Sequence, residues 1–170
     1  AAQLRHLLKE RPLTPAHQQR LATTYTLHEP LPTFNPEQLR VANPKCSDPF
    51  VMLPHLPQLL AESAIQDEPF RQLLQQFVTH LQEELTNLPH TIDQLETLYP
   101  HETVSKTPEM FDLAFRYCEL HSALSCIYVW LYNHPSQSGP FAQGAWLLLA
   151  LDQLVKPLLS RTQKQHYITQ

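Results

Sequence analysis

Glycine is almost missing from this chain, with Gly139 and Gly144 alone among 170 residues. Phosphate-cradling loops and nucleophile elbows need several residues free to take tight backbone turns, so the glycine-rich routes to a catalytic site are closed. Cysteine is scarce and odd in number, at Cys46, Cys118 and Cys126. Such a set provides no disulfide framework and is read as reduced thiols in a cytoplasmic protein. Long apolar runs are missing too. The stretch from Gly144 to Leu151 falls well short of the ~20 residues of a membrane span, and Asp152 and Lys156 interrupt the residues beyond it. A soluble protein without a membrane span is therefore expected. The chain begins at Ala1 with no charged-then-apolar leader, and is read as a piece of a longer protein.

The net charge of −4 conceals an uneven distribution. Residues 1–55 carry six Lys/Arg against four Asp/Glu, residues 56–155 carry three against twelve, and residues 156–170 carry three against none. An acidic middle repels phosphate backbones, so no nucleic-acid partner is expected. The basic tail around Arg161 and Lys164 is read as a solvated end.

Proline is what the chain has in abundance: nine of its 16 fall within residues 12–57. That region also holds Leu27, Leu31, Phe34, Val41, Phe50, Met52 and Leu53, apolar side chains that a flexible tether would not carry. It is expected to form an extended strap lying on a helical body. Short helices are predicted within it at 15–24 and 36–42, where Thr14-Pro15 and Asn35-Pro36 set a capping residue before a first-turn proline.

From Leu56 the apolar residues take helical spacing. Phe70, Leu73, Leu74, Phe77, Leu81, Leu85 and Leu88 step by three and four along one face, between a cap at Asp67 and a stop at Pro89. A short helix at 91–99 is predicted from Thr91 and Gln94 in capping-box spacing. A longer helix starts at the Thr107 cap with Pro108 in its first turn and runs to about Asn133. It is apolar around much of its circumference, through Phe111, Ala114, Phe115, Cys118, Leu124, Ile127, Val129, Trp130 and Leu131, and is expected to be central. The last helix is predicted from Phe141 to about Leu159, antiparallel to the long one and kinked or ended by Pro157. The fold class is all-α: an antiparallel bundle of about four main helices carrying a Pro-rich N-terminal strap. The domains are read as an arm over 1–55, a bundle over 56–160 and a basic tail over 161–170.

Candidate chemistry gathers on the long helix. Ten histidines invite a metal, yet neither His-Glu-x-x-His nor Glu-x-x-His occurs. Cys118 and His121 share a face beside Glu119, which is half a metal site, and no metal is expected. Arg116, Glu119 and Ser122 continue a stripe from Asp112, with Asp112 and Arg116 in ion-pair spacing; on a cleft, Glu119 would be a candidate acid or base. His121, Ser125, Tyr128 and Tyr132 form a second polar-aromatic line that would edge a pocket. The pocket candidates are Arg116, Glu119, His121, Ser125 and Tyr128, none assigned a catalytic role.

The stretches Phe115-Arg116-Tyr117-Cys118-Glu119-Leu120-His121-Ser122-Ala123 and Gly144-Ala145-Trp146-Leu147-Leu148-Leu149-Ala150-Leu151 resemble the C-terminal helical part of bacterial acyl-CoA dehydrogenase-like proteins. The resemblance implies a parent flavoenzyme with FAD that acts on acyl thioesters. The family's flavin-contacting glycine-rich segment and its Tyr-Glu-Gly-type loop have no counterpart in this chain, so no catalytic or flavin-binding residue is carried over. The isolated chain is expected to hold no cofactor. The primary reading is a non-catalytic helical domain for association with a protein partner or with itself; the alternative is the helical part of such a flavoenzyme.

Overall fold

The computed structural model describes residues 4, 5, 8, 12–27, 48–63, 65 and 67–155, and among these all regular structure is helical. The predicted helix at 36–42, Cys46, the strap residues 28–47, Pro157 and the basic tail lie outside the described residues.

Helix α1 spans Pro15–Tyr25. Its start follows the local signal: Pro15 opens the first turn, and the backbone N–H of Thr14 donates to His17 Nδ1 at 3.1 Å. Helix α2 (Asp48–Met52), a 3₁₀ turn (Leu53–His55) and helix α3 (Leu56–Glu62) succeed one another directly. Phe50, Met52, Leu53, Leu56 and Leu60 are all buried there and join one core with Leu4 and Leu21. Leu27, expected as an anchor, is instead 49% exposed.

Helix α4 covers Glu68–Leu98, capped by Asp67, whose Oδ1 accepts from Phe70 N at 3.1 Å. Pro89 does not stop it, contrary to the expectation from sequence, and the separate helix at 91–99 is the continuation of the same element. An interior proline costs about 3 kcal/mol. Buried Ile92 and Leu95 extend the apolar face of Leu81 and Leu88 beyond the proline, and their burial outweighs that cost. Thr91 correspondingly caps nothing: its hydroxyl donates back to Asn87 O at 3.1 Å.

After the single turn α5 (His101–Val104), helix α6 runs Pro108–Asn133, with Thr107 Oγ1 accepting from Met110 N at 3.3 Å. Its 26 residues span about 39 Å. The last helix is divided where the sequence pattern has it continuous: α7 (Pro140–Gln143) and α8 (Ala145–Leu154) meet at Gly144, which has φ +77°. A Cβ at this glycine would stand 2.5 Å from Phe70 Cζ and 3.0 Å from Trp130 Nε1. Glycine is thus required twice over, by its left-handed backbone and by the rings pressed against it.

Helix α6 is the hub, in contact with α1, α2, α4, α7 and α8. Helix α8 runs back along it: Arg116, near the start of α6, reaches the carbonyls of Leu154 and Val155, while Trp130 Nε1, near its end, donates to Ala142 O at 3.2 Å. Tyr117, Leu120, Ala123, Leu124, Ile127, Tyr128 and Trp130 face the core. Phe111, Ala114, Phe115 and Cys118 do not, so the helix that is apolar around much of its circumference is central through one side only; Phe111 is 65% and Phe115 67% exposed. Far along the sequence from α4, Arg5 binds its C-terminal half, donating to Glu96 Oε2 at 2.6 Å and also to Asp93. These two acceptors, Glu96 foremost, raise the pKa of the Arg5 guanidinium.

Candidate functional site

The five candidate residues lie on one helix but on two different sides of it. Arg116 and Glu119 turn toward α4 and α8, whereas His121, Ser125 and Tyr128 turn toward α1 and α2.

Around Arg116 three helices meet. Its Nε donates to Glu84 Oε2 on α4 at 3.2 Å, and its Nη1 donates to Glu119 Oε2 at 2.8 Å and to Leu154 O at 2.9 Å. Nη2 adds a longer bond to Val155 O at 3.4 Å. The expected pair with Asp112 is replaced by these partners, because Asp112 sits on the exposed side of α6. Partial burial pulls the Arg116 pKa down, but the bonds to Glu119 and Glu84 outweigh it and the net shift is upward. A permanent cation at the last carbonyls of α8 also meets the negative end of that helix. Glu119 therefore serves as a counter-ion, its carboxylate committed to a guanidinium.

The second side is a docking seam. Tyr128 is fully buried and its hydroxyl donates to Pro49 O at 3.0 Å, while its ring lies 5.6 Å from that of Tyr25. Ser125 Oγ donates to the backbone carbonyl of His121 at 2.9 Å and lies 3.0 Å from Tyr25 Oη. The His121 ring packs 5.7 Å from Phe50 and 6.4 Å from Tyr117. Burial pushes the Tyr128 phenol well above its ordinary pKa, so it stays protonated at neutral pH. Ser125 spends its proton on a main-chain carbonyl, which leaves it unactivated as a nucleophile.

Two features are absent from the sequence-based candidates. Asn133, buried at the end of α6, donates from Nδ2 to Tyr25 O at 2.7 Å and accepts at Oδ1 from Leu27 N at 2.7 Å. The other is the stripe of Phe111, Phe115, Cys118 and Ser122, none of them buried and all within one narrow sector of α6. These residues step by four, three and four, the spacing of a helical contact face, and could have been recognised as such had the opposite face not been equally apolar.

Among the described residues, no group of three or more His, Cys, Asp or Glu side chains is placed to hold a metal ion, and no helix is long and apolar enough to cross a membrane. Cys118 and Cys126 are free thiols, the first exposed and the second half-buried with its pKa raised by that burial. Set against protein-family models, curated proteins and solved structures, the chain matches none of them.

Proposed function

We propose that this chain is a non-catalytic helical domain that mediates protein association, through self-association or a protein partner. One observation carries the reading: α6 is apolar on two opposite sides, one filling the core and the other, at Phe111 and Phe115, facing solvent. Exposing two rings at helical spacing has no use in holding this fold together, and contiguous exposed apolar surface marks interaction sites. The candidate chemical groups support the same reading, since Arg116 and Glu119 neutralise each other and Tyr128 and Ser125 bond to main-chain carbonyls. In this reading the helices form an antiparallel bundle in the cytoplasm, with the N-terminal arm acting as a strap across α6.

The test is the solution mass of the whole chain by light scattering, recorded with its visible absorption spectrum. A colourless species heavier than the 19.7 kDa chain is the expected result. A monomer that carries a bound flavin would overturn the reading in favour of a flavoenzyme of the acyl-CoA dehydrogenase-like kind.

A further inference from the structure

We infer that the exposed stripe of α6 docks against the same stripe of a second copy, antiparallel, about a two-fold axis passing between Phe115 and Cys118. The inference rests on the association reading above and names its partner.

The residues of the stripe are ordered by size, with large Phe111 and Phe115 first and small Cys118 and Ser122 after them. Two antiparallel copies related by this axis bring position 111 level with 122 and position 115 level with 118. Each layer then sets a phenylalanine of one copy beside a small residue of the other, the alternation that lets facing helices interdigitate. A parallel pair would set ring against ring and leave a gap further along. No charged side chain lies within the stripe; Asp112 borders it, and the two-fold axis sets it nearer Glu119 than Arg116 of the second copy, which weakens the contact.

Area sets the strength. A phenylalanine offers about 200 Å², so four rings two-thirds exposed supply about 500 Å² of contact. With Ala114, Cys118, Ser122 and Pro108 added, the total comes to about 800 Å², below the roughly 1,200 Å² where stable interfaces begin. The dimer is therefore weak and dependent on concentration. With helix axes about 9 Å apart, the two Cys118 Cα atoms come within about 7 Å of each other.

Sedimentation equilibrium of the full chain over a wide concentration range tests this. The mass should rise from 19.7 kDa toward twice that value. Phe115→Glu should raise the dissociation constant tenfold or more, with the helical circular dichroism unchanged because the site is exposed. Ser122→Phe should also weaken the dimer, by setting ring against ring, and adding Phe111→Ser to it should restore association. That swap distinguishes the register from general stickiness, under which an added ring strengthens association. A short bifunctional maleimide should link the dimer through Cys118, with the product lost in Cys118→Ser and kept in Cys126→Ser. A colourless dimer indifferent to these changes would overturn the α6 register and leave the association reading standing. A monomer at every concentration would overturn the second copy as occupant.

Discussion

Asn133 holds the end of α1 through both faces of its amide, giving a hydrogen to Tyr25 O and taking one from Leu27 N, each at 2.7 Å. Its Nδ2 also contacts Val129 O at 2.5 Å, so one buried side chain joins the last turns of two helices. Asn133→Ala should cost about 2–3 kcal/mol in urea unfolding, because it leaves backbone groups unpaired inside the protein. Asn133→Asp should be worse near neutral pH, where a carboxylate would face the Tyr25 and Val129 carbonyls, and should partly recover as pH falls and the acid protonates.

Gly144→Ala is expected to cost more than Gly139→Ala. Both glycines have positive φ, but a Cβ at residue 139 meets nothing within 4 Å, while at residue 144 it meets Phe70 and Trp130. The backbone penalty of about 1–3 kcal/mol applies to both. Overpacking adds about 1–3 kcal/mol at Gly144 alone. Thermal melts give the difference, and a changed Trp130 emission would accompany the Gly144 variant only.

Arg116→Gln should loosen the C-terminal turn of α8 first. It removes the donor shared by Leu154 O, Val155 O, Glu84 and Glu119, and should destabilise by about 1–3 kcal/mol. Hydrogen exchange should show the amide of Val155 losing protection more than the core amides of α6. Arg116→Lys should recover only part, since an ammonium cannot reproduce the guanidinium's fan of donors.

High pH should destabilise the fold through its tyrosines. Burial raises the folded-state pKa of Tyr128, so the folded protein holds its proton more tightly than the unfolded chain does. The resulting stability is complete below the unfolded tyrosine value of about 10 and declines as pH climbs above it. Tyr132, also raised by burial, adds to the same decline. Tyr128→Phe should flatten the slope of unfolding free energy above that pH, while costing about 1 kcal/mol at neutral pH for the lost bond to Pro49 O.

What is legible in the sequence is what is local. The caps at Asp67 and Thr107 and the proline-led start at Pro15 each depend on residues within one turn, and all three are where the pattern puts them. Pro89 misleads because a proline's local cost is visible in the sequence while the burial of Ile92 and Leu95 beyond it is a tertiary fact. Gly144 stands at the edge of an apolar run that reads as one helix, and the rings of Phe70 and Trp130 explain why the break falls there. Periodicity fails on α6 for a related reason: with apolar residues on opposite sides, nothing local says which side is inside. The candidate residues Arg116 and Tyr128 share a helix in the sequence, yet their partners on α4, α8 and the segment at Pro49 send them in different directions.

The clamp at Asn133 also orders events during synthesis. Its bonds join residues 106 and 108 positions apart, so the C-terminal end of α1 is not anchored until the end of α6 has been made. At the roughly 5–20 residues per second of translation, that is a delay of about 5–20 s. Until then the helix has α2 to pack on, and its contact with α6 waits for the later residue.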